Sequence, residues 1–225
     1  VNIEKFRNKQ GKIWLNVASS VYALAEFVNL DNSVFLQFSD ILYILRPLIP
    51  GKYHEWITKY KNLKKSKLFL IHDCRKPLPF PNSSVDHVLC SDFLEHVFPK
   101  EAEEIVGDFH RVLKDGGTLH IVVPNLTWMV EEYLEKKKSK TSNAADWFIA
   151  ETILSRKTRG SLKYRILEFF GAFGLQHYWM YDDDSMKMLL DKFGFKIVEE
   201  KNFPSKNYRA GIDYKSKAVE VFAQK

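Results

Sequence analysis

The stretch "VDHVLCSDFLEHVFPKEAEEIVGDFHRVLKDGGTLHIVVPN", residues 85–125, decides how the rest of the chain is read. It opens on a short apolar run, Val85 to Cys90, that ends on the polar pair Ser91 and Asp92. It closes on residues 117–125, the most β-rich run of the chain. Between them Ala102, Ile105, Val106, Phe109, Val112 and Leu113 recur at helical spacing. Pro99 stands where a helix begins and Gly116-Gly117 where it must stop. Strand, helix and strand at this spacing predict a parallel crossover.

The same rhythm extends in both directions. Upstream, "KIWLNV" and "EFVNLD" read as two strands, the second running from Phe27 to Leu30 and ending on Asp31. "KLFLIHD", residues 67–73, reads as a third, again ending on an acid. Downstream, residues 182–194 read as a helix with an acidic start and a Gly stop. "FKIVEEKNF" and "KAVEVFAQK" follow as strands, an antiparallel pair if their link is short. Residues 32–66, aromatic and basic, and residues 126–176, mostly helical with a basic "EKKKSKT" stretch, stand outside the rhythm. They are expected as insertions at one edge of the sheet, within a single domain spanning residues 1–225.

Composition bounds the function without choosing it. The 225 residues are 45% hydrophobic and 28% charged, ordinary for a globular domain with a sizeable core. A net charge of +6 and a pI near 9.1 suit a phosphate-bearing ligand, an anionic membrane surface or RNA. The two cysteines, Cys74 and Cys90, form no C-x-x-C pair, so no zinc signature is present. Nothing requires a disulfide, no secretory signal is evident and no run of about 18 apolar residues occurs. The expectation is a cytoplasmic protein.

In open α/β sheets ligands sit beyond the carboxyl ends of the strands. Here those ends carry Asn16 with Ala18, Ser19 and Ser20, then Asp31, Asp73, and Ser91 with Asp92. An acid ending the second strand can accept hydrogen bonds from two ribose hydroxyls. An Asp after the third can reach an adenine amino group. Asp86 reads as a structural anchor, and the triple acid at 182–184 as an acidic helix N-terminus rather than a metal site.

These residues carry a family resemblance. "HDCRKPLPFPNSSVDHVLCSDFLEHV" and "FHRVLKDGGTLHIVVPN" resemble the middle segments of class I S-adenosylmethionine-dependent methyltransferases, in the small type-11 group with a shortened first crossover. "HYWMYDDDSMKMLLDKFGF" resembles that group's late helix. The resemblance implies an α/β three-layer sandwich with a Rossmann-like, mostly parallel seven-stranded sheet in the order 3-2-1-4-5-7-6 and an antiparallel last strand. It implies S-adenosylmethionine as cofactor and no fixed metal. By position, Asp31 holds the ribose, Asp73 and Cys74 frame the adenine, and Ser91 and Asp92 lie beside the methionine portion. Asn16, Ala18, Ser19 and Ser20 form the opening turn. His96, His177 and Tyr178 are the catalytic candidates near the mouth.

The opening turn departs from the group. The family's L-N-L-G-C-G reads "LNVASS" here, with Ala18 and Ser20 where glycines stand. A non-Gly residue held left-handed costs roughly 1–2 kcal/mol, so the cofactor site reads as altered rather than abandoned. The functional expectation is methyl transfer to a small-molecule or glycan-pathway acceptor. The alternative is a non-catalytic binding or scaffold protein on a degenerate fold. A nucleic-acid acceptor is disfavoured by the scatter of the basic residues. Residues 32–66 read as a packed edge helix, or as a lid over the acceptor or a peripheral contact with an anionic membrane. In the lid version Tyr43, Tyr53 and Trp56 pack on substrate and Lys64, Lys65 and Lys67 pair with phosphate.

Overall fold

The computed structural model describes residues 2–66, 68–139, 143–155, 176–199, 203–205, 208 and 217–225. Seven strands form one sheet: β1 (Trp14–Val17), β2 (Val28–Asp31), β3 (Phe69–Ile71), β4 (Val85–Ser91), β5 (Leu113–Pro124), β6 (Lys196–Ile197) and β7 (Ala218–Gln224). Their order is β3-β2-β1-β4-β5-β7-β6. The pairs among β1 to β5 are parallel, and β7 runs antiparallel to both β5 and β6. Order and directions are those expected from the sequence.

Among the described residues the α-helices are α1 (Val34–Gln37), α2 (Ser39–Ile44), α3 (His54–Leu63), α4 (Pro99–Val112), α5 (Leu126–Lys138), α6 (Ala144–Thr152) and α7 (Asp183–Asp191). α4 behaves as its pattern requires. Pro99 opens it, the Glu101 carboxylate accepts from the Phe98 N–H at 2.9 Å, and Ala102, Ile105, Val106, Phe109 and Val112 are buried. Burying such a side chain contributes about 1.5–3 kcal/mol over leaving it in water. They pack in one core with the inward residues of the central strands, among them Leu15, Val88, Leu119 and Ile121.

The extents of β5 and β6 differ from the sequence reading, each for a local reason, whereas the acidic start of α7 is as expected. β5 starts at Leu113 instead of residue 117, because the chain pairs with β4 at once and then bulges before Thr118. Gly116 there has φ +75, and a Cβ on Gly117 would stand 2.7 Å from the Lys114 carbonyl oxygen. β6 shrinks to two residues, because only Lys196 and Ile197 find partners on β7 at the sheet edge. The triple acid caps α7: Asp182 accepts from the Ser185 N–H at 2.8 Å, with Asp183 and Asp184 in the first turn.

Residues 32–66 lie between the adjacent parallel strands β2 and β3, so they are that crossover, folded as α1 to α3. Of residues 126–176, α5 and α6 are described; residues 140–142 and 156–175 of that expected insertion, and Lys67, lie outside the described residues. Asp86 anchors the start of β4 as expected, accepting from the Ile13 N–H at 2.9 Å and from Lys114 at 2.8 Å. Cys74 lies just past β3 and Cys90 within β4; both are buried and free.

Candidate active site at the carboxyl ends of the strands

β1 and β2 are joined without a helix. The link is held by amides instead. Asn16 donates to the Tyr22 carbonyl at 3.0 Å and to Asn29 Oδ1 at 2.9 Å. Asn29 in turn accepts from the Leu24 N–H and donates to the carbonyls of Leu24 and Phe27. Asn16, expected to bind cofactor, therefore spends its side chain on the link. Leu15 and Val17, its neighbours, take the other face of the strand and are buried in the core.

The same link brings the turn to the acid. Ala18 and Ser20 both adopt left-handed backbone, with φ of 53° and 47°. The conformation that glycine favours survives without glycine. The Ser20 N–H donates to Asp31 Oδ2 at 2.8 Å, and the Ser33 N–H donates to Oδ1 at 2.6 Å. Asp31 is nearly buried, and burial pushes its carboxyl up against the opposing pull of those two N–H groups. Each oxygen keeps a second acceptor position.

A cavity of about 280 Å³ opens beside Asp31, lined also by Ala18, Ser20, Cys74, Asp92 and His96. Asp92 has φ 51°, so three of the chain's left-handed non-glycine residues line one cavity. Asp73 reaches the cavity too, with its carboxylate held by Arg75 at 2.9 and 2.8 Å. Ser91 is turned to Asp92 Oδ2 at 3.0 Å and, like Ser19, is buried behind the lining. Tyr60 of α3, not singled out by its sequence, enters from the crossover with its hydroxyl 3.2 Å from that of Ser20. Its only signal is helical spacing, one turn after Trp56. Tyr43 is occupied by Lys61, 3.4 Å above its ring, and Lys64 by Asp40 at 2.7 Å. Neither they nor Tyr53 and Trp56 line the cavity.

The catalytic candidates divide. His96 lines the cavity, and its Nδ1 lies 2.9 Å from the Gln176 carbonyl. His177 meets it edge-on, with ring centroids 4.8 Å apart. Burial, then the neighbouring His96, push the His177 imidazole down to about 4. Tyr178 points away and packs on Phe98, with ring centroids 4.7 Å apart. Beside the histidines stands Glu95, fully buried, its carboxyl pushed up to about 8 by that burial.

Residues 54–121 match a family model described as "Methyltransferase domain". The sheet order and strand directions are those of the Rossmann-like methyltransferase fold. The matched segment begins after the altered turn and covers residues 85–121 of the strand–helix–strand stretch. Among solved structures, the domain is similar to a protein crystallised with the Haloferax volcanii Trm112 methyltransferase activator, at 13% identity and a TM-score of 0.51, covering 95% of this chain and 82% of that one. It is also similar to a protein of Listeria monocytogenes assigned as an S-adenosylmethionine-dependent methyltransferase, at 15% identity and a TM-score of 0.50, covering 98% and 91%. No curated protein matches the sequence. S-adenosylmethionine is the cofactor this methyltransferase family implies. The residues present fit it: a buried acid with unused acceptor positions ends β2, and the backbone turn beside it keeps its left-handed shape.

Proposed function

We propose that the chain transfers a methyl group from S-adenosylmethionine to a small-molecule acceptor. The observation that carries this reading is Asp31: its carboxylate is fixed by two backbone N–H groups at the cavity wall and still able to accept from a ribose diol. Asp73 and Cys74 flank the adenine end, and Asp92 the methionine end, with Ser91 behind it. Ala18, Ser19 and Ser20 shape the turn between them. The bound cofactor supplies an electrophilic methyl on a sulfonium. The chain's own contribution is alignment of the acceptor, excluded from water. His96 stands on the acceptor side of the cavity, its Nδ1 held by the Gln176 carbonyl, so Nε2 is the nitrogen available to take a proton.

The β2–β3 crossover supports a surface role for the same reaction. Ile41, Ile44, Leu48 and Trp56 are exposed at 55%, 75%, 83% and 47%. Lys65 lies exposed in the same segment, with Lys59 paired to Glu55 at 2.8 Å beside it, so apolar and basic groups lie together, the combination that favours an anionic membrane surface. Among the described residues no helix is long and apolar enough to cross a membrane. The cytoplasm is the compartment this reading assigns.

A scaffold reading keeps one observation: the Ala18 and Ser20 side chains line the cavity where the resembled family has glycine. Titration of the purified chain with S-adenosylhomocysteine separates the two. The transferase reading expects saturable heat at micromolar to millimolar ligand, abolished in Asp31→Ala. No heat at millimolar ligand leaves the scaffold.

A further inference from the structure

Glu95 carries two carboxylate oxygens that are buried and have no hydrogen-bond partner. A buried carboxylate in that state is costly unless it is neutralised or bound to a cation. Among the described residues, no lysine or arginine pairs with it. Among the described residues, the titratable groups near it are two imidazoles, the buried Cys90 thiol and the Tyr181 hydroxyl, itself buried and unpartnered.

The imidazoles are oriented as metal ligands are. His96 commits Nδ1 to the Gln176 carbonyl, which leaves the Nε2 lone pair 4.0 Å from Glu95 Oε1. The His177 ring bonds to the Thr152 backbone, while its Nδ1 is buried without a partner. Each ring thus spends one nitrogen on the backbone and offers the other, the outer-shell arrangement that fixes a metal-binding tautomer. The two segments are tied together, because the N–H groups of Tyr178 and Trp179 both donate to the Glu95 carbonyl, at 2.7 and 3.3 Å.

We propose that Glu95, His96 and His177 form a binding site for a divalent transition-metal ion at the acceptor side of the cavity, zinc being the ion the donor set suits best. The three ligand atoms lie within 4.8 Å of one another. An ion with bonds of about 2.0–2.1 Å needs them roughly 3.0–3.4 Å apart, so the site closes by rotation of side chains already facing one another. Two imidazoles and one carboxylate favour zinc or iron over magnesium and calcium, which prefer all-oxygen shells. Three protein ligands leave a position open, the pattern of catalytic rather than structural zinc. His96 lines the cavity, so that position faces it. An acceptor hydroxyl bound there releases its proton to water more readily, the ion then taking over the role otherwise given to His96 Nε2, whose lone pair it occupies; this role rests on the transferase reading, whereas binding of the ion does not.

The test uses the chelator-treated full chain, titrated calorimetrically with zinc and with magnesium, and with cobalt(II) followed by visible absorption. The expected result is one equivalent of zinc, a cobalt spectrum of low coordination number, and no magnesium binding at comparable concentration. Glu95→Gln and His177→Gln are expected to weaken zinc by more than the roughly 10–100-fold that loss of an outer-shell partner costs. Circular dichroism checks folding, and if Glu95→Gln unfolds, His177→Gln decides alone. Asp31→Ala is expected to leave zinc binding intact while abolishing S-adenosylhomocysteine binding, so the two proposals fail separately. Absence of stoichiometric zinc binding, or binding that ignores both ligand variants, overturns the site.

Discussion

The Ser20 N–H donates to Asp31 Oδ2 across 2.8 Å, so the turn that lacks glycine is tied directly to the acid it would serve. Loss of that acid removes both the proposed ribose acceptor and the tie. Asp31→Ala is expected to lower S-adenosylhomocysteine affinity at least tenfold, about 1.4 kcal/mol, by calorimetry. Asp31→Asn keeps the size of the side chain but not its charge, and is expected to fall between the two.

Restoring glycine should relieve strain. Ala18 and Ser20 sit at φ 53° and 47°. Ala18→Gly and Ser20→Gly each remove roughly 1–2 kcal/mol of left-handed cost, offset by roughly 0.4–1 kcal/mol of added freedom in the unfolded chain. A net gain of up to about 1 kcal/mol per site is expected in urea unfolding, with cofactor affinity unchanged or higher. Destabilisation by either glycine contradicts this account.

Acid should act through His87. It is fully buried, bonded to Thr118 at 2.7 Å and Ser205 at 2.8 Å, between Phe27 and Phe203. His120, the neighbouring titratable group, reaches Ser205 and Glu220. Burial first, then His120, push His87 down to about 3 from 6.5. Below pH 6.5 the unfolded chain binds a proton that the folded chain refuses. The stability contributed by neutral His87 is therefore present above that pH and is lost as pH falls toward 3. The loss is on the order of a few kcal/mol, and His87→Gln is expected to flatten the acid limb of a stability–pH curve.

The crossover surface is tested with vesicles. Binding to vesicles containing acidic lipid is expected in co-sedimentation, weaker with neutral lipid, and lost in Ile44→Glu with Leu48→Glu. These side chains are exposed and touch none of the cavity, so catalysis in detergent-free solution should be unaffected. Sedimentation that ignores lipid charge and both substitutions removes the membrane role.

The sheet was legible because short apolar runs ending on polar residues alternated with the helical face of α4, and those patterns are local. Asp31 was legible for the same reason, being the last residue of such a run. What escaped was set by contacts distant in sequence. Asn16 read as a ligand residue because nothing in "LNVASS" shows that Asn29 claims its amide. Tyr60 was passed over because its approach to Ser20, forty residues away, depends on how α3 packs. His177 and Tyr178 read alike, yet adjacent side chains diverge, one toward Glu95 and His96 and the other onto Phe98.

The helix-free link from Val17 to Val28 also bears on how the chain folds. Parallel neighbours ordinarily wait on a crossover of a dozen or more residues. Here ten residues, 18–27, separate β1 from β2, against thirty-seven, 32–68, between β2 and β3. Closing the shorter loop costs about 1 kcal/mol less in chain entropy. The Asn16–Asn29 amide pair fastens it as it closes. Among the parallel pairings of the sheet, β1 with β2 is the one that chain entropy opposes least. It is therefore the place where high φ-values are to be sought in folding kinetics, with the ligand turn a product of the earliest pairing.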